Sequence, residues 1–228
     1  GRYSLAEPGL IFAGGSMLFS RYQRYRPVAD NALLITDEAY FDDDIVAHFV
    51  HFVSTVYGEA NLETNLNFIA DALGMRGHDS RECIRLYFVK HFYKDHLRIY
   101  KNRPIYWLFD SGRQDGFKLL ISMHRWHPNT VAYVRVNYLH PLQQMYIAEI
   151  EQEEKLLKDR IQSKDKIKAE RRRNRLLSQL KETQDYDLGM AHLSASDHPI
   201  DLDDGVKANY RMVQTAGDGK VIKILASI

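Results

Sequence analysis

The 228-residue chain has one cysteine and six prolines. No apolar run in it approaches the roughly 18 residues of a membrane span. The single cysteine, Cys83, excludes an intrachain disulfide framework and any cysteine-based zinc cluster. It fits a reducing compartment, so a cytoplasmic setting is expected. No signal-peptide pattern is present and the chain does not begin with Met; residues 1–20 read like the interior of a protein, so a segment of a longer chain is expected. Net charge is also nearly missing: 31 Lys and Arg stand against 30 Asp and Glu, for +1. Taken whole, that balance argues against a strongly basic nucleic-acid protein. What is there is 45% hydrophobic and 11% aromatic, enough for one large core or two small ones.

The total conceals a strong asymmetry. Residues 1–30 carry +2, residues 31–80 carry −8, residues 81–148 carry +7 and residues 149–228 carry 0. Within the last block, 155–181 has eleven bases and three acids. An acidic stretch followed by two basic ones points to a polyanionic partner, although solvated helix faces produce the same numbers.

Leu10–Phe19 is apolar with a Gly14-Gly15 break and reads as two short strands; it lacks a phosphate-loop pattern. Ala32–Thr36 reads as another strand. Asp42-Asp43-Asp44 opens a helix carrying Ile45, Val46, Phe49, Val50, Val53 and Val56, and Gly58 ends it. A second helix starts near Asn61 or Glu63, with Leu66, Ile69, Ala70 and Leu73 on one face and Gly74 after it. Asp79 or Ser80 caps a third. There Lys90, Lys94, Arg98 and Lys101 form a basic stripe, if the helix runs that far before Pro104. Ile105–Phe109 and Phe117–Met123 are strands of a β-hairpin whose polar tip bears Arg113. From Asn129 or Thr130 the pattern is helical to about Tyr186, with Pro141 as a kink or break. Leu142, Met145, Ile150, Leu157 and Ile161 form one apolar stripe; Ile167, Leu176, Leu177 and Leu180 form another. Ser163 suits a second cap, which favours an antiparallel helical hairpin over a single dimerising rod. The chain ends in a turn at 200–206 and a strand-like Val221–Leu225.

The expected class is α+β: a small mixed or antiparallel sheet with packed helices, plus a long helical hairpin. The expected division is 1–128 as a mixed recognition region, 129–195 as the helical hairpin, and 196–228 as a strand and turn segment returning to the first.

Ten histidines invite a metal search, but His48/His51, His91/His96 and His124/His127 come only in pairs and no HExxH occurs. No metal site is expected. Asp201-x-Asp203-Asp204-Gly205 imitates the start of a calcium loop, yet its twelfth position is Met212; an Asx turn with Gly205 at positive φ is preferred. There is no GxSxG and no paired-carboxylate motif. An adenine methyltransferase needs a Gly-rich turn after a strand for its cofactor and a doubled-proline turn for its substrate, and this chain has neither. By itself it is expected to be catalytically silent.

The better signal is cationic residues interleaved with aromatic ones over 81–126. Basic side chains neutralise phosphates, and arginine reads guanine edges bidentately. The DNA-binding candidates are Arg21, Arg24, Arg26, Lys90, Lys94, Arg98, Lys101, Arg103, Arg113, Lys118, His124, Arg125 and Trp126. Phosphates would be held by the first eight, and bases read near Arg113, Lys118 and Arg125.

At these residues a family resemblance appears. Tyr93-Lys94-Asp95-His96, Arg103 to Gly112 (RPIYWLFDSG), Gly116-Phe117-Lys118 and Met123-His124-Arg125 closely resemble the C-terminal region of the PglX-type adenine-specific DNA methyltransferases of BREX phage-defence systems. Ile200 to Tyr210 resembles a block near the C-terminus of these and related enzymes, and Gly9–Phe19 the point where their catalytic domain gives way to the specificity region. The resemblance implies a DNA target-recognition region of an N6-adenine methyltransferase. S-adenosylmethionine and the catalytic motif would belong to an upstream methyltransferase domain of the same chain. Double-stranded DNA, that domain and other defence-system subunits are the implied partners. The alternative is a protein–protein interaction module docking such subunits through the helical hairpin.

Overall fold

The computed structural model describes residues 32–75, 79–158 and 163–228. The chain forms two compact units, Gly1–Asn102 and Arg103–Ile228. The expected strands at 10–19 and the Arg21–Arg26 run lie outside the described residues.

The first unit contains β1 (Ala32–Ile35), α1 (Ile45–Tyr57), α2 (Leu62–Ala72), α3 (Ser80–Lys90) and α4 (Phe92–Ile99). Its helix boundaries follow local chemistry. The Asp44 carboxylate accepts from Val46 N (2.9 Å) and Ala47 N (3.0 Å), capping α1, and Gly58 ends that helix at φ +93°. Asp79 caps α3 by accepting from Arg81 N (2.8 Å) and Glu82 N (3.1 Å). Val53, Leu66, Ile69 and Ile84 are fully buried, so α1, α2 and α3 bring their apolar faces together. Rings from α1, α3 and α4 interlock there, with Phe49–Phe88 centroids 5.7 Å apart and Phe88–Phe92 centroids 5.2 Å apart.

Buried polar side chains among the described residues of this unit include an Arg85–Asp44 pair and His96. Arg85 forms a buried ion pair with Asp44, and the same guanidinium donates to Thr36 O and Thr36 Oγ1, both at 3.2 Å. Asp44 thus caps a helix and balances a buried cation at once. His96 packs among Phe92, Tyr93 and Tyr100, and burial lowers its pKa from 6.5 to about 4.

The second unit holds β2 (Tyr106–Asp110), β3 (Lys118–Ser122), α5 (Thr130–Val134), α6 (His140–Lys158), α7 (Ser163–Leu193) and α8 (Val206–Met212). β2 and β3 pair antiparallel, Tyr106 opposite Ser122 through Asp110 opposite Lys118. The C-terminal tail lines the other edge of β2: Asp110 N donates to Ile224 O (3.1 Å) and Ala226 N to Leu108 O (2.8 Å). The expected α+β class, with its small antiparallel sheet and long helical hairpin, is observed.

α6 and α7 run antiparallel, fixed by Arg172 of α7, which donates to Glu153 (2.5 Å) and Glu149 (2.6 Å) of α6. The single rod is therefore excluded. The seam is more polar than its sequence suggests. Leu176, Tyr186 and Met190 are buried, but so are Gln179 and Thr183, whereas Ile167 and Leu177 face solvent. Pro141 does not break the helix. It lies in the first turn of α6, and a π-helical turn at Arg135–Leu139 absorbs its missing N–H, with His140 N reaching back to Arg135 O. Asp187 of α7 pins that turn by accepting from Arg135 Nε (2.6 Å) and pairing with His140 (3.1 Å).

The basic stripe expected on one long helix is interrupted. His91, at φ −124° and ψ −36°, separates α3 from α4, and Lys101 lies past the end of α4 at φ +50°. Two residues in the left-handed region, Lys101 and Asn102, turn the chain ahead of Arg103 and Pro104. Near the C-terminus the Asx turn is as expected: Asp201 accepts from Asp203 N (2.9 Å) and Gly205 takes φ +83°. A short helix, α8, follows it where periodicity gave no signal.

Two outcomes follow from the buried polar groups. Arg85→Met should lower stability by about 3–5 kcal/mol, because Asp44 is left buried without its cation. Adding Asp44→Asn should recover part of the loss, and chemical denaturation of the two variants measures both. His96 binds no proton in the folded state between its ordinary value and about 4, whereas the unfolded chain does. Stability should therefore fall as pH drops through that window, by up to about 3 kcal/mol. A pH series of thermal melts should show the slope flattened in His96→Phe.

Candidate nucleic-acid interface

The centre of the second unit is the β2–β3 hairpin, and the RPIYWLFDSG stretch is its first strand and turn. Trp107, Leu108 and Phe109 are buried, as is every residue of β3. Such a continuous apolar run suits a strand covered on both faces. The charged and polar residues belong to its ends.

The hairpin loop is held from outside by one carboxylate. Glu182 of α7 accepts from Ser111 Oγ (2.7 Å), Gln114 N (2.8 Å) and Gly116 N (3.1 Å). Ser111 Oγ in turn accepts from Phe117 N (2.8 Å), closing the loop neck. α6 adds Tyr146, whose hydroxyl donates to Gly116 O (2.7 Å). A side chain at Gly116 would place its Cβ 2.8 Å from the Gln179 carbonyl, so only glycine lets the loop lie this close to α7. At Gly112, with φ +139°, an added Cβ would lie 2.9 Å from the same carboxylate. Backbone N–H groups that would otherwise need water are thus paired with a charged acceptor.

The candidate residues fall into distinct environments. Arg113 is exposed at the loop tip. Lys118 is buried, its ammonium paired with Asp110 (3.3 Å) and Asp115 (3.2 Å). Trp126 is buried too. It meets Trp107 edge-on with centroids 5.2 Å apart, stacks parallel to Phe109 at 5.9 Å, and donates its indole N–H to His198 O at 2.8 Å. His124 and Arg125 are exposed on a 3₁₀ turn, Met123–Arg125, at the far end of β3. Five strand residues separate the two ends, so Arg113 and Arg125 are roughly 17 Å apart along the hairpin. They are not one cluster. Arg103 is exposed just before β2. Lys90, Lys94, Arg98 and Lys101 are exposed in the first unit, Arg98 beside Asp95 at 3.0 Å.

Sequence reasoning passed over Glu182 and Gln179. Both sit on a helix that is almost wholly polar, where nothing local separates a solvated residue from one holding a neighbouring loop.

Among the described residues no group of three His, Cys, Asp or Glu side chains is arranged to hold a metal ion. Gly112 and Gly116, the glycines that follow a strand, face Glu182 and Gln179 rather than an open cradle, so this turn does not fit a nucleoside cofactor. Among the described residues no helix is long and apolar enough to cross a membrane.

The loop clamp has a measurable consequence. Glu182→Ala should destabilise the protein by about 1–2 kcal/mol, because part-buried donors at Ser111 and Gly116 lose a charged acceptor. Hydrogen exchange should accelerate selectively at Gln114 and Gly116. Unaltered protection there would remove Glu182 from the loop's support.

No protein-family model matches the chain. It is 43% identical over 225 residues to the adenine-specific methyltransferase PglX of Lacticaseibacillus casei (strain Zhang), an alignment covering 97% of the chain and 19% of that protein. It is 36% identical over 223 residues to the adenine-specific methyltransferase BrxX of Escherichia coli O9:H4 (strain HS), covering 92% of the chain and 18% of that protein. The chain thus spans about a fifth of the length of these two adenine-specific methyltransferases and is similar to them over nearly all of its own length.

Proposed function

We propose that this chain is the DNA target-recognition region of a site-specific N6-adenine DNA methyltransferase of a phage-defence system. The observation that carries the reading is the braced hairpin. It presents exposed Arg113 at one end and exposed His124 and Arg125 at the other, on a strand pair that two helices hold rigid. A rigid ribbon with cationic ends has the form of an element that enters a DNA groove. Arg103 and, in the first unit, Lys90, Lys94, Arg98 and Lys101 would neutralise phosphates. The Arg21, Arg24 and Arg26 run is proposed for the same work on sequence grounds alone. Lys118 and Trp126 take a different part: they fix the hairpin's shape, and the arginines do the reading. S-adenosylmethionine would be bound by an upstream methyltransferase domain of the same chain, and transfer would occur there.

A second reading has an observation of its own. The helical hairpin exposes Leu156, Ile167, Leu177 and Leu188, the last 72% exposed, which fits docking of another defence-system subunit.

Titration against duplex DNA at low and moderate salt separates the two. Recognition predicts binding that weakens steeply with salt. It also predicts that Arg113→Ala and Arg125→Ala each cost about 1–3 kcal/mol of discrimination between sequences. Binding that ignores charge reversal at both arginines, with partner capture lost on Leu177→Glu and Leu188→Glu, would favour the docking module.

A further inference from the structure

The basic excess of 155–181 is not used by the hairpin, and its geometry assigns it a role. On α7, Lys164, Lys168, Arg171 and Arg175 follow one another at spacings of four, three and four. At 3.6 residues per turn they fall within about 60° of arc and span about 16 Å of helix axis. All four are exposed. The acids of α7 ahead of Glu182 are Asp165 and Glu170, roughly 90° and 130° around the helix from this line. Glu149 and Glu153 of α6 pair with Arg172 of α7, which is not one of the four. The line thus consists of four exposed basic side chains in succession.

We infer that Lys164, Lys168, Arg171 and Arg175 form a sequence-independent phosphate track for duplex DNA, separate from the residues that read bases. Each strand of a duplex carries one charge per about 3.4 Å of axis, so a track of about 16 Å lies beside four or five phosphates. No apolar residue interrupts it, whereas protein interfaces are depleted of lysine and centred on buried apolar or aromatic anchors. Its place on the helix also fits. Glu182, which holds the Arg113 loop, follows Arg175 by seven residues, about 10 Å further along the same helix. One rigid element thus carries the track and supports the reading loop, so phosphate contacts on α7 set the register at which Arg113 meets a groove. The inference rests on the DNA-recognition reading above and adds a second contact surface to it.

The test compares the chain with a variant carrying Lys164→Gln, Lys168→Gln, Arg171→Gln and Arg175→Gln, which keeps good helix formers at exposed sites. Binding to random-sequence duplex is followed across salt. The slope of log affinity against log salt should fall in magnitude by about 3, and affinity at low salt by more than tenfold. Preference between sequences should persist, whereas Arg113→Ala should reduce preference with little change in slope. Lys164→Gln with Lys168→Gln alone should give about half the effect, which separates charge loss from misfolding. A wild-type slope in both variants, alongside real DNA binding, overturns the track and leaves the reading loop intact; the line would then serve an acidic protein. Absence of salt-dependent binding by the unaltered chain overturns both.

Discussion

The Glu182 carboxylate is the contact on which the second unit depends. A hairpin loop of this length leaves several backbone N–H groups pointing away from its own strands. Where the loop packs against a helix, as at part-buried Gly116, such a group is costly unless paired. One carboxylate reached from α7 accepts from two of them and from Ser111. The constraint propagates outward. Gly116 must lack a side chain so that the loop can approach Gln179 O, and Gly112 must take a backbone conformation that L side chains rarely adopt. The seam between α6 and α7 must carry Gln179 and Thr183 where an ordinary helical hairpin would carry leucines.

The same logic explains the asymmetric use of charge. Lys118, Arg85 and Arg172 are cations, yet each is spent on structure, paired with Asp110 and Asp115, with Asp44, and with Glu149 and Glu153. Buried cations hold elements in register at a desolvation cost that only close partners offset. Arg113, Arg125 and the α7 line stay exposed, where a polyanion can reach them. A count of bases over 81–148 merges these two populations, which is why the +7 of that block overstates its exposed, unspent positive charge.

The helical course of 129–193 shows how local rules combine. Pro141 reads as a break because its ring removes a hydrogen bond and crowds the preceding turn. The chain keeps the helix by widening one turn at Arg135–Leu139, and Asp187 from α7 secures that widened turn through Arg135 and His140. The compensation comes from 47 to 52 residues away in sequence, so no window around Pro141 contains it.

The sequence by itself determined the elements whose causes are local. A helix opening at Asp42-Asp43-Asp44, another capped by Asp79 or Ser80, Gly58 as a terminator, the β2–β3 hairpin with Arg113 at its tip, the paired long helices and the Asx turn at Asp201 all rest on spacing and capping chemistry within a few residues. The resemblance carried by RPIYWLFDSG was legible for the same reason, since that stretch is one strand and its turn. Tertiary structure decided which cations are exposed and which are paired. It turned Trp126 inward to Trp107 and Phe109, split the Lys90–Lys101 stripe at His91, and chose Glu182 from an almost featureless polar helix. These outcomes depend on partners tens of residues apart, and burial, which sets the strength of every charge and hydrogen bond, exists only once the chain has folded.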